Sequence, residues 1–193
     1  MTTTPDTRDP SADPDTFRRA VAALEGTQVR AEALVESIRP PQKLAPYSYA
    51  LSIEITPRGG DDRDGATGRL VLLHDPDGAE AWDGDLRLVG YAEAELSSDM
   101  AGDPLLPQVG WSWLIDSLGE RGAEYTAAGG TVTQTTSTRF GDVHGPATST
   151  SLELRGSWTA LDADLTPHLL AFVDLLTIAA GLPPEGVTML ERR

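Results

Sequence analysis

The sequence predicts an α+β domain, a mostly antiparallel sheet made of a meander and a hairpin with about three helices packed on it. Three observations carry that expectation. Residues 47–56 alternate apolar and polar side chains with a period of two, as half-buried strands do. Two segments, near 13–26 and 166–180, repeat apolar residues at helical spacing between start and stop signals. The elements between them follow the order α-(β)-βββ-α-ββ-α, with strands and helices in runs rather than in strict alternation.

Taken in order, residues 1–12 mix Thr, Asp, Pro and Ser without an apolar face, and are expected to be a disordered acidic tail. A single domain is expected over 13–187, with a short tail at 188–193. Asp13 reads as an N-cap with Pro14 at the first helical position, and Phe17, Val21 and Leu24 repeat at i, i+4 and i+7 before Gly26. The next segment, residues 29–38, fits two elements. Ala31, Leu34, Val35 and Ile38 fit a helical face, whereas its brevity and the following Pro40 and Pro41 suit an edge strand, the reading taken here. Tyr47, Tyr49, Leu51, Ile53 and Ile55 then share one face of a strand, with Ser48, Ser52, Glu54 and Thr56 on the other. A loop over 57–68 leads to "RLVLLHD", whose nearly continuous apolar run predicts a central strand covered on both sides. Turn residues at 75–78 and 83–84 precede a third strand, 85–96. Residues 104–121 read as a helix, and Thr-rich 123–140 with 149–159 as a second hairpin. The last helix has Thr166 as N-cap, Pro167 at the first position, Leu165 and Leu170 as a hydrophobic staple, and Gly181 beyond its end. At about 14 residues, Asp174 among them, it is too short to span a bilayer, so its apolar flanks must be buried or form an interface.

Composition narrows the function. A net charge of −15 and a pI near 4.4 repel phosphate backbones and anionic headgroups, so neither nucleic acid nor a membrane is an expected partner. The absence of cysteine removes disulfides, thiolate metal sites and cysteine nucleophiles. No apolar run follows a basic start, so no signal peptide is visible and a cytoplasmic address is expected. Fourteen arginines against one lysine, with no asparagine, suggest a GC-rich source rather than a chemistry.

Two side-chain groups stand out. In "PLLPQVGWSWLIDSL" the chain spends two of its four tryptophans one residue apart. On a helix Trp111, Leu114, Ile115 and Leu118 form the core stripe, and Trp113 points elsewhere with Val109 and Leu105 or Leu106. That is either a second layer of packing or the anchor of a partner-binding patch. "GWSWL" approaches the nucleophile elbow G-x-S-x-G at Gly110 and Ser112, but Leu114 replaces the second glycine and no strand precedes it. The second group is "HDPDGAEAWDGD", with His74, Asp75, Asp77, Glu80, Asp83 and Asp85 in close sequence. Turn chemistry accounts for it, and the spacing fails as a calcium loop. A weak cation site or acid–base chemistry by His74 with Asp75 and Asp77, aided by Tyr91 or His144, is the alternative. His144 and His168 lack the spacing of zinc ligands, and no glycine-rich phosphate cradle appears; no cofactor is expected.

The runs "LAPYSYALS", "VLLHDPDGAEAWDGDLRLVGY", "DPLLPQVGWSWLIDSL" and "LLTIAAGLPP" resemble an actinobacterial family known as domain of unknown function 3000, over about Phe17 to Val187. The resemblance implies no activity, cofactor or catalytic residue. The element order is also like that of small acidic secretion chaperones, an analogy of fold alone. The function expected is that of a non-enzymatic, chaperone-like or adaptor domain. It would bind a protein partner, or a second copy as a homodimer, through the Trp113 surface, the last helix or an open sheet edge.

Overall fold

The computed structural model describes residues 14–57, 65–96, 98–142 and 144–183. Helix α1 (Asp15–Gly26) is followed by strands β1 (Ala33–Ile38), β2 (Tyr47–Ile55), β3 (Ala66–Ala79) and β4 (Gly84–Leu96). A single turn α2 (Ser98–Ala101) and helix α3 (Leu106–Glu120) lead to β5 (Tyr125–Thr138), β6 (Thr148–Ala160) and α4 (Thr166–Ala179). One six-stranded sheet has the order β1-β2-β3-β4-β6-β5, and every neighbouring pair is antiparallel. The α+β class and the element order are those the sequence predicts, and residues 33–38 are an edge strand.

All the longer helices sit on one face of the sheet, α4 over β2–β4 and α3 over β5 and β6, with α1 against α4. The core lies between the layers, where Leu70, Leu72, Leu88, Leu154 and Trp158 meet Leu114, Leu118, Leu169, Phe172 and Leu176. Close approach is possible because Gly90, Gly156 and Gly130 stand side by side on β4, β6 and β5. A methyl group on Gly90 would lie 2.7 Å from the Phe172 ring, and one on Gly130 2.7 Å from the Trp111 ring. Among the described residues the opposite face of the sheet is open, and this corrects the expectation for β3. Thr67 and Arg69 are exposed and Val71 is half-buried, so β3 is covered on one side along most of its length.

The ends of three elements depart from the sequence reading by small amounts. Pro14 is the N-cap of α1, and the expected cap Asp13 lies outside the described residues. Leu165, not Thr166, is the N-cap residue of α4. The Thr166 N–H donates to Asp164 Oδ1 at 3.1 Å, because an aspartate two residues upstream reaches it where the threonine hydroxyl does not. Gly181 does end that helix: with φ at +70° it lets Leu182 N–H reach the Thr177 carbonyl at 3.0 Å. The "DPDG" run is not the turn between β3 and β4 but an irregular stretch within β3. The chain reverses one step later, through a 3-10 turn at Glu80–Trp82 and a left-handed Asp83. Across the helices, Arg121 and Asp174 form a two-pronged ion pair at 2.6 and 2.8 Å, which explains the lone charge on α4.

Candidate functional site

Helix α3 is rotated relative to the stripe read from its sequence. Leu106, Gly110, Leu114, Ser117 and Leu118 are its buried residues, while Trp111 and Trp113 are both half-buried, one on either flank of that line. The difference follows from Gly110: with no side chain it lets α3 settle on Leu152 and Val132, which turns Trp111 off the centre of the contact and lays it over Gly130. Trp113 is half-buried and packs on the satellite cluster of Leu96, Leu106 and Leu152 as well as against the main core. Beyond it Leu105 is 59% and Val109 36% exposed, a small apolar patch. Ser112 donates its hydroxyl to the Val109 carbonyl at 2.9 Å, an ordinary helix contact. The last helix is not an outward surface: nine of its residues are buried against the same chain.

Of the acidic residues in the His74 group only Asp85 comes near the imidazole, its Oδ2 3.9 Å from His74 Nδ1, and Asp75 and Asp83 turn to other partners. His74 lies in β3 with its ring in the core, stacked at 6.1 Å on Phe17 and at 5.8 Å from Tyr47. Its Nδ1 is 3.0 Å from the Asp85 carbonyl oxygen, and its Nε2 is buried without a hydrogen-bond partner. Asp75 instead turns toward its own backbone, accepting from Asp77 N–H at 3.2 Å, and Asp83 accepts from the Thr126 hydroxyl at 3.0 Å. Successive strand residues face opposite sides, so the sequence neighbours His74 and Asp75 are divided by the sheet itself. His144 sits exposed in the β5–β6 loop, and Tyr91 is on the open face. Among the described residues no group of three His, Asp or Glu side chains converges as metal ligands. No helix there is long and apolar enough to cross a membrane.

Four groups among the described residues are perturbed: Tyr49, pushed up to about 12 by burial and then by Glu25, Arg87, lowered by burial, and two that bear on the candidate surfaces, His168 and Tyr91. His168 is buried at the start of α4, where its Nδ1 accepts from Trp158 Nε1–H at 3.0 Å. Burial pulls it down to about 4, against the opposing pull of Asp162 and Asp164. On the open face, the Tyr91 hydroxyl lies 3.0 Å from both Glu93 Oε2 and Glu153 Oε2, with the Arg155 guanidinium over its ring. Desolvation first, then those hydrogen bonds, push Tyr91 up to about 12. This face holds a shallow concavity of about 690 Å³ in which Val71, Val89 and Leu34 are interleaved with Glu36, Glu54, Arg69 and Glu93. It is the solvated side of an antiparallel sheet, with its charges of both signs interspersed.

The feature that sequence reasoning underrated is β5. It is an edge strand of 14 residues, ten of them exposed and none buried, and "YTAAGGTVTQTTST" contains no charged residue and no proline. Natural edges are usually shortened or blocked by charge, proline or a covering element, since their free N–H and C=O groups recruit other strands. The opposite edge, β1, is six residues long and carries Glu36. Only the start of β5 is disturbed, by a bulge between Thr126 and Gly129 whose Ala127 carbonyl accepts from Arg87 at 2.8 Å. Beside the strand runs an open groove of about 350 Å³, lined by Pro107, Gln108, Trp111, Gly130 and Val132. The missing charges were readable in the sequence, but placing them on an edge required the strand order.

No curated protein and no solved structure matches this chain, so the likeness to secretion chaperones rests on element order alone. The family described as protein of unknown function (DUF3000) matches residues 13–188. With every described residue inside that match, the chain belongs to the DUF3000 family.

Proposed function

We propose that this chain is a non-enzymatic protein-binding domain, adaptor-like or chaperone-like in use, that accepts an extended segment as an added strand on β5. The observation that supports the reading is the long, uncharged, proline-free edge. Strand addition takes its affinity from main-chain hydrogen bonds and its selectivity from alternate side chains that enter pockets next to the edge. The groove under Trp111 provides such a pocket. Gly130 leaves the sheet bare there, and a side chain from an added strand can fill the space between α3 and the sheet. The acid–base alternative at His74, Asp75 and Asp77 has no comparable support, since the imidazole faces Phe17 and Tyr47 while Asp77 is exposed.

The test is selection of random extended peptides on the full chain, followed by hydrogen exchange of the complex. Enriched peptides should be β-prone with an apolar residue at alternate positions, and bound peptide should slow exchange in 129–138. Protection confined to the Leu105 and Val109 side of α3, or to the open face around Tyr91, would refute strand addition at this edge.

A further inference from the structure

We infer that the strand received by β5 is the β5 of a second copy, joining two six-stranded sheets across a two-fold axis; this rests on reading the β5 edge as the binding site. The argument begins with charge. Two chains of net charge −15 repel each other over most of their surfaces, so self-association requires a contact that brings no like charges together. β5 is such a contact: in an antiparallel pairing of this strand with itself, no register sets a charge against a charge. Composition then favours the pairing. Thr131, Thr133, Thr135 and Ser137 follow one another on one face, so a two-fold that pairs like faces sets hydroxyl residues opposite hydroxyl residues, a favourable cross-strand combination. The strand already makes such a pair internally, Thr136 to Thr150 of β6 at 3.1 Å between hydroxyls.

Length and asymmetry fix the stoichiometry. A 14-residue edge is matched along its length by another copy of itself, whereas the six-residue β1 leaves most of it unpaired. Each copy offers one such edge, and an isologous contact uses it up on both partners, so assembly closes at two instead of growing into a filament, and another extended segment reaches β5 only by displacing the second copy. In that dimer the groove beneath Trp111 lies against the joined strands, which gives its apolar lining a covering.

The experiment compares the full-length wild type with Thr133→Lys/Thr135→Lys by analytical ultracentrifugation across micromolar concentrations, with melting curves confirming that both fold. Both threonines are exposed, and Lys at 133 stands opposite Glu153 of its own β6, so the variant keeps its fold while placing like charges across the two-fold. The wild type is expected at twice 20.5 kDa and the variant at 20.5 kDa. Mixing the Lys pair with Thr133→Glu/Thr135→Glu should restore the dimer as a heterodimer. Because the chain has no native cysteine, single cysteines at 131, 133 and 135 should also cross-link on oxidation, most efficiently nearest the axis. A monomeric wild type that still shields β5 with a selected peptide would overturn the dimer and leave the binding edge standing. A wild-type dimer indifferent to the lysines, with no cysteine cross-link, would overturn the β5 pairing, and if in addition no selected peptide slowed exchange in 129–138 the binding edge would fall with it.

Discussion

Replacing His168 by glutamine should flatten the acid branch of the stability curve. The neutral imidazole accepts the Trp158 N–H at Nδ1, so a proton placed on that nitrogen sets donor against donor inside the core. In the native state His168 holds its proton only below about 4, against 6.5 for an unperturbed histidine. Above pH 6.5 the ring is neutral folded or unfolded, and its contribution to stability is fully present. Between 6.5 and about 4 the unfolded chain binds a proton that the native chain refuses, so stability falls with pH, and below about 4 the loss is complete. At about 1.4 kcal/mol per pH unit that interval sets a loss of about 3 kcal/mol. Glutamine keeps an acceptor for Trp158 and cannot take the proton. Urea unfolding followed by tryptophan fluorescence at about pH 7, 5.5 and 4 measures the difference directly, since every other titrating group is common to both proteins. Wild type should lose about 3 kcal/mol more than His168→Gln across this range. Parallel curves would refute the assignment of a neutral, hydrogen-bonded His168.

Two further outcomes test the packing between the helices and the sheet. Gly90→Ala should cost about 1–3 kcal/mol and lower the melting temperature by about 2–10 °C, because the methyl group is driven into the Phe172 ring. If that collision is the cause, Gly90→Ala with Phe172→Leu will lose less than the two single changes together, and strict additivity would place the cause elsewhere. Asp174→Asn should remove about 1 kcal/mol, a modest figure because both partners of the Arg121 pair are partly solvated. Added salt should narrow the gap between wild type and this variant, as denaturation at low and high ionic strength would show.

Much of the fold was legible because its elements announce themselves locally. β2 alternates cleanly, and its Leu51, Ile53 and Ile55 are buried as that alternation requires. The residues at 33–38 fitted two elements, and the sheet decided between them: Val35 pairs with Ile53 and Leu34 with Glu54, a partnership no local pattern contains. The candidate sites were less legible, for two physical reasons. Proximity in sequence does not survive a strand, where His74 turns to the core and Asp75 toward solvent and its own backbone. On a helix the buried line depends on where the partner comes closest. The count of apolar residues on α3 favoured a stripe through Trp111, but Gly110 gives the closest approach and the stripe runs through it.

That same glycine packing links the core to the β5 edge. The row Gly90, Gly156, Gly130 is required by the helices: Phe172 fills the space over the first, Leu114 and Trp111 over the second, and Trp111 reaches out over the third. A side chain at 130 would also strike the Arg155 carbonyl oxygen at 2.3 Å, so the last position of the row cannot be filled from within the strand. The sheet is therefore left bare where it ends, with an indole standing above it and no charged residue anywhere along β5. A solvated edge of this length is ordinarily defended, and here every defence that costs nothing to the core, a lysine at Thr131, Thr133 or Thr135, is absent. Core packing accounts for the glycine; it does not account for the undefended threonines, and the proposed pairing with another strand would.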